Sequence, residues 1–146
     1  MYRKLLLLPA VLLTELTSQA QDTWTQRSDL GAGGRAQSFS FEANGIGYVG
    51  GGFLDAITPA TDVWAYDPLI DAWSQVADFG GGARSAAAAF SINAIGYVCA
   101  GVGSGGEVND LWAYDPILNT WASRAGLPGA ARRRPIDCRS GLRRAM

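Results

Sequence analysis

The sequence contains no histidine. That removes the usual general base, the commonest metal ligand and every catalytic triad that relies on imidazole. Cysteine is nearly absent too, with only Cys99 and Cys138. A buried, unpaired Cys99 is the expected state, a disulfide to Cys138 being the alternative after export. No apolar run reaches the roughly 20 residues a membrane-spanning helix needs. Basic side chains are scarce in the body: residues 21–131 hold eleven acids against four arginines, a net charge of −7. Nucleic acid is therefore a poor partner, because phosphate contacts need clustered Lys and Arg. The glycine runs 31–34 and 80–82 lack the Lys and Ser/Thr that a phosphate loop requires after them. Asp55, Asp78, Glu107 and Asp110 show no calcium-loop spacing. No catalytic residue, no metal ligand and no cofactor is assigned.

What the chain does have is a repeat. The segment DVWAYDPLIDAW, residues 62–73, returns as DLWAYDPILNTW, residues 110–121, shifted by 48. Upstream, GIGYVGGG (45–52) returns as AIGYVCAG (94–101), and Arg35 and Phe41 return as Arg84 and Phe90, all shifted by 49. A long repeat with fixed internal spacing is the mark of a repeat architecture. Each copy predicts four short strands, in the first copy at 36–43, 46–51, 62–66 and 72–76. Asn44-Gly45 is a two-residue hairpin signal, and Asn93-Ala94 keeps only its first half. Asp67-Pro68 and Asp115-Pro116 end the third strand, since proline presets a turn and cannot donate to a ladder. In 62–67, Val63 and Ala65 point one way and Trp64 and Tyr66 the other. Both faces are apolar, so each sheet is expected to be covered on both sides. Four-stranded sheets of this kind at a period near ~50 describe the blades of a β-propeller.

These residues resemble the kelch-repeat β-propeller family, which includes domains like the central one of galactose oxidase. Its pattern is a strand ending in a glycine pair, then a Tyr and a Trp at fixed separation. Gly50-Gly51 (or Gly51-Gly52), Tyr66 and Trp73 match it, with Trp64 before them. The second copy departs at Cys99-Ala100 and keeps Trp112, Tyr114 and Trp121. The resemblance implies an all-β fold: about two four-stranded antiparallel kelch-type blades, an incomplete propeller. The copper site of the galactose-oxidising relatives needs histidine, so this chain cannot carry that activity alone. The Asp-box turns of sialidase-type propellers are also missing. Asp62, Asp67, Asp110, Asp115, Arg35 and Arg84 recur from copy to copy and are read as scaffold.

The domain plan follows. Residues 1–20 read as a secretory signal peptide: a positive start, a short apolar run and a small-x-small site at Ser18-Gln19-Ala20. Residues 21–131 form the repeat region, with an extra N-terminal strand at 22–28 and blades at 35–76 and 84–124. Residues 132–146 break the register and carry six arginines and one aspartate, a net +5. They read as a disordered or out-of-frame basic tail. Function is expected where the copies differ, in the loops 53–61 and 102–109 between second and third strands. The candidate ligand-binding residues are Phe53, Leu54, Asp55 and Glu107. The expected function is an exported, non-enzymatic module that binds a protein or a glycan through loops on one propeller face. Two alternatives stay open: a fragment without independent function, and a piece of a propeller enzyme whose catalytic residues lie elsewhere. Uncovered blade faces would favour self-association.

Overall fold

A computed structural model describes residues 23–131. The signal-peptide and tail readings and Cys138 therefore lie outside the described residues. Two four-stranded antiparallel sheets make up the structure, with no helix among the described residues. The first, blade 1, runs in sequence order: β1 (Phe39–Ala43), β2 (Ile46–Gly50), β3 (Val63–Asp67) and β4 (Ala72–Val76). The second, blade 2, is built the same way from β5 (Ala88–Ile92), β6 (Ile95–Cys99), β9 (Leu111–Asp115) and β10 (Thr120–Arg124). Between β6 and β9 a small two-stranded ribbon, β7 (Val102–Gly103) and β8 (Gly106–Glu107), folds out of the second loop. This is an incomplete propeller of two blades.

Local chemistry sets the strand limits. Asn44 and Gly45 turn β1 into β2 with φ of 56° and 79°, as a type I′ hairpin demands. Asn93 and Ala94 do the same at 50° and 62°. Ala94 thus holds a left-handed conformation that its Cβ disfavours. The first strand begins later than the predicted 36–43, because Gln37 sits at φ 58° and interrupts the extended chain. Ala86 repeats that kink at φ 50°. The second strand stops at Gly50 because Gly51 and Gly52 turn to φ 60° and 81°, matched by 55° and 94° at Ala100 and Gly101. The glycine pair that the backbone requires is therefore Gly51-Gly52. Gly50 is small for another reason: a Cβ there would meet Phe39 at 2.7 Å and Val63 at 2.8 Å.

The expected N-terminal strand at 22–28 is corrected. Residues 23–30 join no sheet, and Trp24 is 98% exposed. A fourth-type strand needs the edge of a third-type strand, and both such edges already carry β4 and β10. Only Ser28 is held. Its N–H donates to Asp71 Oδ1 (3.0 Å), its hydroxyl donates to the Asp71 carbonyl (2.7 Å), and its carbonyl accepts from Trp73 Nε1 (2.9 Å).

The main core lies between the blades, where β1 packs against β5 and β6. Blade 1 contributes Phe39, Phe41, Ala43, Tyr48, Val63, Ala65 and Phe79; blade 2 contributes Val98, Tyr114, Trp112 and Trp121. Each large apolar side chain fully buried here is worth about 1.5–3 kcal/mol. The aromatics meet edge to face, as Phe79 meets Trp121 (4.9 Å, 87°) and Phe41 meets Trp121 (6.3 Å, 85°). Blade 2 sits so close that a Cβ on Gly96 would run into the Phe41 ring. The expectation that both faces of each sheet are covered holds only at this shared interface.

Candidate functional site

The recurring charged residues form the same device in both blades. Arg35 Nη1 and Nη2 donate to the two carboxylate oxygens of Asp62 at 2.9 and 2.8 Å. Arg84 does the same to Asp110 at 2.6 and 2.8 Å, and its Nη1 and Nη2 also donate to the Ala100 and Gly81 carbonyls. Trp64 and Trp112 each donate an indole N–H to the aspartate, at 2.6 and 2.9 Å. The Arg35 bonds, assisted by Trp64, hold the Asp62 carboxyl below its usual range against the opposing pull of burial. For Asp110 burial is the largest influence and raises the carboxyl, but the Arg84 and Trp112 bonds together outweigh it and the net shift is downward. The guanidinium of Arg84 also lies over the Phe79 ring, 5.2 Å from its centroid. Every strong bond of these residues is internal, which fits a scaffold role.

Tyr and Trp, seven apart in each copy, are cross-strand partners: Tyr66 opposite Trp73, Tyr114 opposite Trp121. Their rings lie 4.9 Å apart in both blades. Each Trp also reaches back along the chain. Trp121 Nε1 donates to the Ala77 carbonyl at 3.1 Å, while Asn119 accepts from the Ala77 N–H at 2.8 Å. Trp73 and Asp71 treat Ser28 alike. The tyrosine hydroxyls donate to the same acceptors, Tyr66 to Asp71 (2.6 Å) and Tyr114 to Asn119 (2.9 Å). Tyr114 is buried between the blades, and desolvation pushes its hydroxyl up to about 12.

This frame presents the variable loops at one end of the sheets. Phe53 is half-buried and forms part of the loop base: it exchanges backbone bonds with Ala36 and bridges to Pro59. Leu54 is 45% exposed. The Asp55 carboxylate holds its own loop, accepting from the Ile57 N–H (2.8 Å), the Thr58 N–H (2.6 Å) and the Thr58 hydroxyl (2.8 Å). Those bonds, the one from Ile57 first, lower its pKa. Glu107 lies exposed on β8 in the neighbouring loop. The loop base is fixed to the next blade, since Gly52 N–H donates to the Arg84 carbonyl, and the N–H of Phe79, on the linker between the blades, donates to the Thr61 carbonyl. The sequence reading passed over Ile57, which is 83% exposed at the loop tip. It also passed over Leu69, Ile70, Ile117 and Leu118, all exposed on the β3–β4 and β9–β10 turns at the opposite end. Aliphatic residues at turn positions after Asp-Pro were the available signal.

A cleft of about 280 Å³ opens on the first sheet, lined by Tyr48, Ala65, Asp67, Ile70, Trp73 and their neighbours. It lies near the β3–β4 turn, away from the variable loops. Among the described residues, no group of three or more His, Cys, Asp or Glu side chains converges as a metal site would require. No described helix is long and apolar enough to cross a membrane. Cys99 is fully buried and disulfide-bonded. The expected free thiol at Cys99 is thereby corrected.

No protein-family model matches this sequence, and no curated protein does. Among solved structures the chain is similar to that described as "Structure of YjhT", with a TM-score of 0.58 and 26% sequence identity. The match covers 66% of this chain and 29% of the YjhT chain. This chain therefore spans under a third of that neighbour's length.

Proposed function

We propose that the chain is a kelch-type pair of blades that works as an exported, non-enzymatic binding module. It recognises a protein or glycan through the loops 53–61 and 102–109. The observation that carries this reading is the contrast between the two kinds of residue. The recurring charged pairs are consumed by internal bonds, as Arg84 and Asp110 are, whereas the loop that differs presents Leu54 and Ile57 to solvent. A rigid scaffold with a variable apolar loop tip is the usual geometry of recognition. Export rests on residues 1–20, and the kelch assignment on the glycine pair and the Tyr–Trp spacing. A photo-crosslinking residue at position 57, and another at position 69 on the opposite end, tests the site. Capture of one glycan or protein at 57 and not at 69 is expected. Capture at 69 alone would move recognition to the turn end and defeat the proposal.

One observation favours the alternative of a fragment without independent function: Phe90 and Tyr97 are only half-buried, although their counterparts Phe41 and Tyr48 are buried. A single cooperative melt of a monomer of the full chain would exclude that reading.

A further inference from the structure

The two blades stack in one sense. The inner face of blade 1, with Phe39, Phe41, Tyr48 and Val63, receives the tryptophan-bearing face of blade 2, with Val98, Trp112, Tyr114 and Trp121. Two blades therefore leave one unused copy of each half. Blade 1 turns its own tryptophan-bearing face outward, where Gly47 pairs with Tyr66 and Val49 with Trp64. Blade 2 turns the other kind of face outward. There Phe90, Tyr97, Leu111 and Leu127 stand where blade 1 and its linker have Phe41, Tyr48, Val63 and Phe79, in a second apolar cluster. Among the described residues no further four-stranded sheet packs on either face.

Both outer faces keep the shape that the contact between the blades uses. Phe90 stacks on Tyr97 at 5.3 Å and 11°, as Phe41 stacks on Tyr48 at 5.0 Å and 15°. The Phe41 ring lies so close to Gly96 that a Cβ there would collide with it. Gly47 holds the place of Gly96, yet the nearest described atom to an added Cβ is Tyr66 Cβ at 4.0 Å. A second pair agrees: a Cβ on Gly80 would meet Trp112 at 2.7 Å, whereas its counterpart Gly31 meets nothing within 4 Å. Burial follows the same division. Val98 and Tyr114 are 0% and 1% exposed, while Val49 and Tyr66 are only half-buried. Phe90 is likewise half-buried where Phe41 is buried. Among the described residues, one end thus carries a ring without a seat, and the other a seat without a ring.

We propose that a second copy of this chain docks head to tail, the outer face of its blade 1 on the outer face of blade 2, with Phe90 seated on the second copy's Gly47 as Phe41 is seated on Gly96. The contact inside the chain argues for this occupant, because any other partner would have to imitate a blade. The two surfaces differ, so the interface is heterologous, and successive copies close into a ring or extend as a filament. Docking also covers apolar surface that would otherwise recruit unrelated chains.

Sedimentation of the full chain over a concentration series reads the association, and growth beyond the monomer with concentration is expected. Gly47→Ala fits within a single chain, so in dilute solution it should fold as the unaltered chain does, with undiminished resistance to unfolding. Its association should be weaker by roughly 10-fold or more, because the added Cβ meets the docked ring. Phe90→Ser removes the ring from the opposite surface and should weaken association likewise. Each variant keeps one intact face, so an equal mixture of the two should form a 1:1 pair and nothing larger. A monomer at every concentration would overturn the proposal. So would association that both variants leave unchanged, or a mixture that stays monomeric. Should Phe90→Ser fail to fold, Gly47→Ala alone still decides.

Discussion

Gly47 and Gly96 hold the same place in the two blades, within the same local sequence Ile-Gly-Tyr-Val. They differ in what lies over them. At Gly96 the Phe41 ring from blade 1 rests on the backbone, closer than a Cβ could tolerate. At Gly47 the nearest atom to an added Cβ is Tyr66 Cβ at 4.0 Å, ordinary contact. Neither glycine has a positive φ, so backbone strain is not at issue. Gly96→Ala must push Phe41 out of a core it shares with Tyr48, Tyr114 and Trp121. Overpacking of that kind costs about 1–3 kcal/mol. Gly47→Ala is expected to gain about 0.5–1 kcal/mol, because alanine has less unfolded-state freedom to lose. The two variants should therefore move in opposite directions and differ by roughly 1.5–4 kcal/mol. Urea unfolding of the full chain, followed by tryptophan fluorescence and far-UV circular dichroism, measures both. Adding Phe41→Leu should remove much of the Gly96→Ala penalty, because the two sites are coupled. Equal effects at the two glycines, or a neutral Gly96→Ala, would refute the claim that the blades pack through this contact.

Four further outcomes are expected. Ala94→Gly should raise stability by about 1 kcal/mol, read from the denaturation midpoint, because it relieves a left-handed alanine at a hairpin turn. Arg84→Met should cost about 3–5 kcal/mol, because it strands Asp110 beside a buried site; Arg84→Met/Asp110→Leu should recover most of that loss. The carboxyls of Asp62 and Asp110 are depressed in the folded chain, so their contribution is complete above the unfolded value near 3.8 and is lost as pH falls through the folded values. Midpoints measured between pH 5 and pH 2 should fall, with a flatter profile in Asp62→Asn. Tyr114 is shifted the other way, from 10.0 to about 12, so its contribution is complete below pH 10 and is lost as pH rises toward 12. Alkaline titration of Tyr114→Phe should show a smaller loss than the unaltered chain.

The parts legible in the sequence were those set by near neighbours. Asn44-Gly45 and Asp67-Pro68 fix their turns within two residues, and the fourth strand, Ala72–Val76, falls where its pattern placed it. Strand ends were harder, because the left-handed Gln37 and Ala86 have no composition that announces them. Long-range partnerships were not legible at all. Arg35 and Arg84 recur, but nothing in their spacing says that each grips an aspartate 27 or 26 residues away. Among the candidate ligand residues, Asp55 carried a charge that sequence cannot distinguish from a free one. Its carboxylate closes its own loop, and Ile57 occupies the exposed tip instead. Residues 22–28 carried a strand pattern without a partner edge, and a strand is a property of the pair.

The pinning of Ala77 by Asn119 and Trp121, and of Ser28 by Asp71 and Trp73, bears on how such a chain can change over generations. Both polar groups of one backbone residue are gripped at each joint between units, so an inserted or deleted residue there would pull the grip out of register. The offset between the copies records where length has been free to drift: it is 49 through Gly52 and Gly101, and 48 from Asp62 and Asp110 onward. The single-residue difference falls within the loops 53–61 and 102–109. Joints between the sheets are thus closed to insertions, and novelty in length enters through the loops that present Leu54 and Ile57.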